Sequence, residues 1–195
     1  KVEARTQDGY HDFHWSHHPQ PDWPENAYTI WLAEKGKSWE EVYGQNLTPY
    51  VIDGAAPEYH QTTWCAEKTI EFIRENEGKP WFFSFNCFDP HHPFDPPADY
   101  LERFPVGDMP LPSVHPNEEH GQTTFQKLDR EWAHNQPGEF ETGAMTDDDR
   151  RQVYAAYMAM VSLKRDLPSS LTGCGCRRGT LIQYSEMAES RKDSA

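Results

Sequence analysis

The feature that most constrains this chain is an apolar run, Trp81-Phe-Phe-Ser-Phe-Asn-Cys-Phe88, that ends abruptly in Asp89-Pro-His-His-Pro-Phe-Asp-Pro-Pro97. The run has strand length, and a strand apolar on both faces belongs inside a sheet covered by helices on either side. The segment after it cannot continue the strand, because each proline fixes φ and removes a backbone donor. A buried strand is therefore expected to deliver two histidines, His91 and His92, at its C-terminal end. Open α/β sheets gather ligands at such ends, where loops and backbone polarity converge. A histidine held between prolines has little freedom, which suits a positioned proton donor or hydrogen-bonding group. The plainer reading, two loop residues in a rigid turn, stands beside it.

The flanks fit an α/β chain. Thr62 to Glu77 predicts a helix capped by Thr62 or Thr63, whose side-chain oxygen would satisfy an orphan amide. Ala66, Ile70 and Ile73 form its stripe, with Cys65, Thr69 and Phe72 beside it, and Gly78 and Pro80 stop it. Helix, tight turn and buried strand make half of an α/β unit. Upstream, Tyr28, Trp31 and Leu32 at helical spacing predict a short helix over 27–34, with Gly36 past its end. Downstream, Pro97 is placed to open a helix at Ala98 to Phe104, and residues 105–145 read as a polar surface excursion. Thr146-Asp-Asp-Asp149 begins a further helix, with a threonine cap and aspartates that complement the positive helix end. Val153, Tyr157, Met160 and Val161 give that helix its apolar face. From Lys164 onward the character changes: Pro168, Gly173 and Gly175 break any helix. Thr180-Leu-Ile-Gln-Tyr-Ser185 predicts one short strand, and the rest reads as a disordered tail.

Charge narrows the partners. With 32 acidic against 18 basic residues the formal charge is −14, a field that repels a phosphate backbone and argues against nucleic acid. An anionic substrate would need local positive charge to enter the same field. No run approaches the length of a transmembrane helix, and the first residues do not read as a signal peptide. A soluble chain is expected, of undetermined compartment and oligomeric state. Cys65 and Cys87 read as buried free thiols, and Cys174-Gly-Cys176 is too tight for a C-x-x-C element. His11, His14, His17 and His18 would place three imidazoles on one metal if the segment were helical. Pro19, Pro21 and Pro24 argue for a loop, so a structural or substrate-rim role is the stronger reading and a noncatalytic metal-binding or interaction module the alternative. The acidic runs Glu40-Glu41, Glu118-Glu119 and Asp147-Asp148-Asp149 read as solvated faces or helix-end charges.

Several of these segments resemble the sulfatase family, in the expected order and over roughly residues 9–163. Lys79 to Tyr100 is similar to the family segment in which a strand ends in Pro-His-x-Pro and then Pro-x-x-Tyr, here Pro90-His-His-Pro93 and Pro97-Ala-Asp-Tyr100. Thr63-Trp-Cys-Ala-Glu-Lys-Thr-Ile-Glu-Phe-Ile73 resembles the helix that enters that strand. Tyr154-Ala-Ala-Tyr-Met-Ala-Met-Val161 resembles a later family helix, and Gly9-Tyr-His-Asp-Phe13 the family's Gly-Phe-Asp-x-Phe.

The resemblance implies an alkaline-phosphatase-like α/β fold with a mixed, helix-covered sheet, incomplete in this chain. Residues 1–163 would be an internal part of the catalytic domain and 164–195 a divergent tail. It implies a parent enzyme that hydrolyses sulfate monoesters of small substrates, with phosphonate or phosphate monoesters as the alternative. It implies a formylglycine nucleophile made within Cys/Ser-x-Pro-x-Arg, and a divalent cation, usually calcium. Carried over by position, His91 matches the motif histidine that contacts the ester oxygen and helps the leaving group depart. His92 occupies the variable place, at the substrate rim. No cysteine or serine here is followed by x-Pro-x-Arg, and the family's Ser-Asp-His/Asn-Gly-Glu metal segment is absent, with Thr180-Leu-Ile-Gln-Tyr-Ser-Glu-Met187 in its place. Nucleophile and metal ligands are therefore expected outside this chain, no residue here is assigned as a metal ligand, and the chain alone is expected to be inactive. The family helix breaks off after Leu163, as a truncated or frame-disrupted reading of a gene would produce.

Overall fold

The computed structural model describes residues 9–16, 25–113, 117–132 and 142–167. Six α-helices order this part: α1 (Ala27–Glu34), α2 (Trp39–Val42), α3 (Gln61–Glu75), α4 (Ala98–Leu101), α5 (Thr124–Trp132) and α6 (Asp147–Arg165). Asn26 caps α1, its side-chain oxygen accepting from the amides of Tyr28 and Thr29, and Gly36 follows the helix at φ +71°. In α2 the cap is reciprocal, since the Ser38 amide donates to the Glu41 carboxylate at 2.7 Å.

An aromatic core joins α1 to α3. Tyr28, Trp31, Leu32 and Trp64 are buried together, with Trp39, Tyr43 and Tyr59 packed against them. Tyr28 stacks on Trp31 at 5.8 Å and meets the edge of Trp39 at 5.9 Å, separations at which aromatic pairs add to plain area burial. Its hydroxyl donates to the Tyr59 carbonyl at 2.6 Å, and the Trp31 indole donates to Glu67 of α3 at 3.1 Å. Hydrogen bonds tie the loop 9–16 to this core. The Ala27 amide donates to the Trp15 carbonyl, and Gln61 donates to the Ser16 hydroxyl at 2.6 Å.

A second, smaller core forms where α4 meets α6. Tyr100, Ala159 and Leu163 are buried, with Leu101 and Phe104 against them. Thr146 caps α6 as expected, and with Asp149 it makes a capping box. The expected inward face is corrected in part: Met160 is fully buried, but Tyr157 is 39% exposed. Alanines 155, 156 and 159 take the inward positions instead, and small side chains let the helix sit closer to its neighbour. Arg151 fastens the 106–109 turn to α6 by donating to the carbonyls of Gly107 and Met109. The polar excursion contains a helix the sequence pattern did not announce, α5, begun by a reciprocal pairing of Thr123 with Gln126. The tail expected from Lys164 begins as helix, since Lys164 and Arg165 complete α6, while its remainder beyond Leu167, with the expected strand over 180–185, lies outside the described residues.

The mixed sheet is not found: among the described residues no strand forms, and the pairing is limited to isolated bridges. Val51 pairs in parallel with Phe94, and Asn46 in antiparallel fashion with Ile52. The run 81–88 forms no ladder beyond a single bridge residue, Phe85. Nor is it buried on both faces. Phe85 and Cys87 are buried, while Phe82 is 67% exposed, the alternation of a chain with one face inward. Aromatic contacts hold its first half along α3, with Phe72 5.0 Å from Phe83 and edge-on to Trp81 at 5.8 Å. A ladder needs partners that are distant in sequence, and apolarity alone does not supply them.

Candidate functional site

The corner Asp89–Pro97 is irregular, yet it is held from three directions. Asp89, Pro90, Asp95, Pro96 and Pro97 are all buried, and the Asp89–Pro90 and His92–Pro93 peptide bonds are cis.

The first anchor is the N-terminus of α3. Its cap is His60, not the expected Thr62 or Thr63: the His60 Nδ1 accepts from the Thr62 amide at 3.2 Å. This frees the Thr62 hydroxyl to donate to Asp89 Oδ2 at 2.7 Å. Asp89 thus lies against a helix N-terminus, where the dipole and the orphan amides favour a carboxylate.

The second anchor is the segment 51–54, which runs beside 94–96. The Ile52 amide donates to the Phe94 carbonyl at 2.8 Å and the Gly54 amide to that of Pro96 at 3.2 Å. Contact is so close that a Cβ on Gly54 would stand 1.7 Å from the Asp95 carbonyl oxygen. Only glycine permits that approach.

The third anchor comes from the end of α6, where Lys164 Nζ donates to the Asp89 carbonyl at 3.3 Å. The Cys87 thiol donates to the same oxygen at 3.6 Å.

Three ligating side chains converge inside this corner. His60, Asp89 and Asp95 are 1%, 2% and 2% exposed, and each offers one ligand atom within 4.8 Å of the others. His60 Nδ1 stands 3.7 Å from Asp89 Oδ2, and His60 Nε2 lies 3.3 Å from the Asp95 carbonyl oxygen. The carboxylates are felt by the surrounding core. The Tyr28 hydroxyl is pushed well above its ordinary pKa, by burial first; its hydrogen bond with Tyr43 works the other way, and Asp95 and Asp89 add to the rise. Burial likewise raises the thiols of Cys65 and Cys87, so both stay protonated and poorly nucleophilic near neutral pH. Both are free thiols, as expected, although only Cys87 is fully buried. The calcium implied by the resemblance takes about six to eight oxygen ligands, a shell that one imidazole and two carboxylates do not fit.

His91 and His92 emerge half-buried from the same corner. The His91 amide donates to the Phe88 carbonyl at 3.0 Å. Its ring lies 4.8 Å from that of Phe88 and stacks on His92 at 4.2 Å. Nδ1 contacts the His92 carbonyl oxygen; a carbonyl only accepts, so Nδ1 carries a proton. Of the histidine-rich loop, His11 and His14 are exposed, and among the described residues they join no group of three ligating side chains. His17 and His18 lie outside the described residues. The pattern reading missed His60, Asp89 and Asp95 as a set. Both aspartates sit in the proline-rich block, but only the fold brings the residue before α3 to them.

No family model matches the chain. Curated proteins do match, and two of them are these. The multifunctional alkaline phosphatase superfamily protein PehA of Trinickia caryophylli is 27% identical over 152 residues, 71% of this chain and 27% of its own length. An arylsulfatase of Clostridium perfringens is 35% identical over 54 residues, 27% of this chain and 11% of its own length. These likenesses bear out the resemblance read from the motifs: the chain is similar to hydrolases of the alkaline phosphatase superfamily. Within that superfamily the similarity extends to a sulfatase, and the chain spans about a quarter or less of the length of these relatives. No helix among the described residues is long and apolar enough to cross a membrane.

Proposed function

We propose that this chain is the part of a sulfatase-type hydrolase that presents His91 to the leaving-group oxygen of a sulfate monoester, with His92 shaping the rim. Residues 1–163 belong to the catalytic domain and 164–195 to a divergent tail. The observation that carries this reading is the anchoring of the corner on α3, on segment 51–54 and on α6, with His91 held at its exit by Phe88, His92 and a backbone carbonyl. Such a histidine is aimed before the substrate arrives. In the imidazolium form, with Nδ1–H kept on the His92 carbonyl, Nε2–H would donate to the bridging oxygen and stabilise charge that develops only as the S–O bond breaks, so it acts on turnover more than on binding. The formylglycine nucleophile and the calcium that the resemblance implies belong to other segments of the enzyme, and the small sulfated substrate is bound between those and this corner. A phosphonate or phosphate monoester is the second reading, favoured by the longer of the two matches, to a protein described as multifunctional.

The test is a plot of log rate against leaving-group pKa for the full-length enzyme, His91→Ala and His92→Ala. His91→Ala is expected to lose about 10²–10⁴-fold on poor leaving groups and far less on activated aryl esters, giving a steeper slope. His92→Ala should keep the slope of the wild type. Equal slopes for His91→Ala and wild type would overturn the assignment. Sulfate, phosphate and phosphonate esters assayed side by side separate the two substrate readings.

A further inference from the structure

We propose that His60, Asp89 and Asp95 form a binding site for a single zinc-type divalent cation, which locks the start of α3 to the corner that carries His91. Four features of the cluster support it. All three side chains are essentially excluded from water, so they are not a solvated acidic face. The donor set, one imidazole and two carboxylates, is of the kind zinc and its neighbours in the first transition row accept. The hydrogen bonds also fix the tautomer that a ligand needs. The Thr62 amide can only donate, so Nδ1 of His60 presents its lone pair, and the ring proton sits on Nε2, facing the Asp95 carbonyl. Metal-bound histidines characteristically donate their other ring nitrogen to a carbonyl or carboxylate in this way.

The fourth feature is distance. Ligand atoms held about 2.0–2.1 Å from one ion stand roughly 3.4 Å apart, and His60 Nδ1 is already 3.7 Å from Asp89 Oδ2. Both of these atoms accept hydrogen bonds from Thr62, so neither carries a proton, and a cation would take the Nδ1 lone pair in exchange for the Thr62 amide. Small side-chain rotations bring Asp95 to the same point, since no pair of ligand atoms in the group is more than 4.8 Å apart.

The site is tested by zinc titration of the 195-residue chain carrying His11→Ala, His14→Ala, His17→Ala and His18→Ala, which removes the competing histidine-rich loop. A single equivalent of Zn²⁺ should bind. Asp95→Asn and His60→Gln in that background should weaken binding by more than the roughly 10–100-fold that loss of an outer partner costs, with far-ultraviolet circular dichroism unchanged. Retained affinity in either variant, or no binding before they are introduced, overturns the proposal. Should the Asp95→Asn and His60→Gln variants lose their fold, X-ray absorption of the zinc-loaded chain carrying only the four histidine-to-alanine changes decides. One imidazole with oxygen ligands supports the site; two or more imidazoles, or sulfur from Cys65 or Cys87, overturn it.

Discussion

Two adjacent segments of this chain behave opposite to their composition. Trp81–Phe88 is apolar and of strand length, yet it forms no ladder among the described residues and leaves Phe82 in solvent. Asp89–Pro97 carries four prolines, two aspartates and two histidines in nine residues, yet it contains some of the most deeply buried residues of the molecule. The difference lies in what holds each one. A strand is completed by neighbours from elsewhere in the sheet, and its edge groups stay unpaired until they arrive. The corner is completed by specific side chains and backbone groups nearby: a threonine hydroxyl, a lysine and the amides of residues 52 and 54. Polar anchoring of this kind is exacting, because each buried donor or acceptor that loses its partner costs more than the bond was worth.

The contrast breaks most sharply at Gly54. Its missing Cβ is what lets segment 51–54 lie on the Asp95 backbone, and the clash is with main-chain atoms that no rotamer change relieves. Gly54→Ala is expected to cost about 3 kcal/mol or more, at the upper end of overpacking effects. Gly107→Ala, where an added Cβ meets nothing within 4 Å, is the control and should stay within about 0.5 kcal/mol. Urea unfolding of the two variants measures this; near-equal stabilities would mean that the corner is not held by that approach.

A smaller effect is expected at Thr62. Thr62→Val keeps the shape and removes the hydroxyl that donates to the buried Asp89 carboxylate, so about 2–3 kcal/mol should be lost. Thr62→Ser keeps the donor and should lose under about 1 kcal/mol. If valine and serine proved alike, Asp89 would not depend on this bond, and the anchor on α3 would have to be reassigned to His60.

How much of this could be read in advance follows the same division. The helices α1 and α6 were legible because their signals are local: Tyr28, Trp31 and Leu32 repeat at helical spacing, and Thr146 with Asp149 marks a start whatever the rest of the chain does. The position of the corner was legible too, because prolines act on their own residues. Its interior was not. His60 sits 29 residues before Asp89, and nothing in its neighbourhood distinguishes a helix cap from a potential ligand until α3 is packed against the corner. The strand over 81–88 failed for the converse reason, since apolarity shows that a segment can be buried but not against what. Tyr157 was misplaced inward because alanines 155, 156 and 159 pack at closer range than a hydrophobicity pattern weighs.

The smallest effect tests the local extreme of the comparison, the cap of α6, which depends on no distant partner. Thr146 donates to and accepts from Asp149 within one turn. Thr146→Ala should cost about 1 kcal/mol, the usual loss of a threonine cap, while leaving the corner untouched. The cap also has a pH signature. The Asp149 carboxyl is held below its ordinary value of 3.8, first by the Thr146 hydroxyl and then by the Thr146 amide. A depressed carboxyl means that the unfolded chain binds the proton more readily than the folded one. Its contribution is therefore fully present above the ordinary value and is lost as pH falls through the depressed folded value. The stability gap between wild type and Thr146→Ala should accordingly be constant from neutral pH down to about pH 5 and narrow below about pH 4. An Asp149 carboxyl titration followed by NMR should move upward in the variant. If that titration stayed in place, the capping box would carry no energetic coupling, and α6 would owe its start to the packing of Ala155, Ala156 and Ala159 instead.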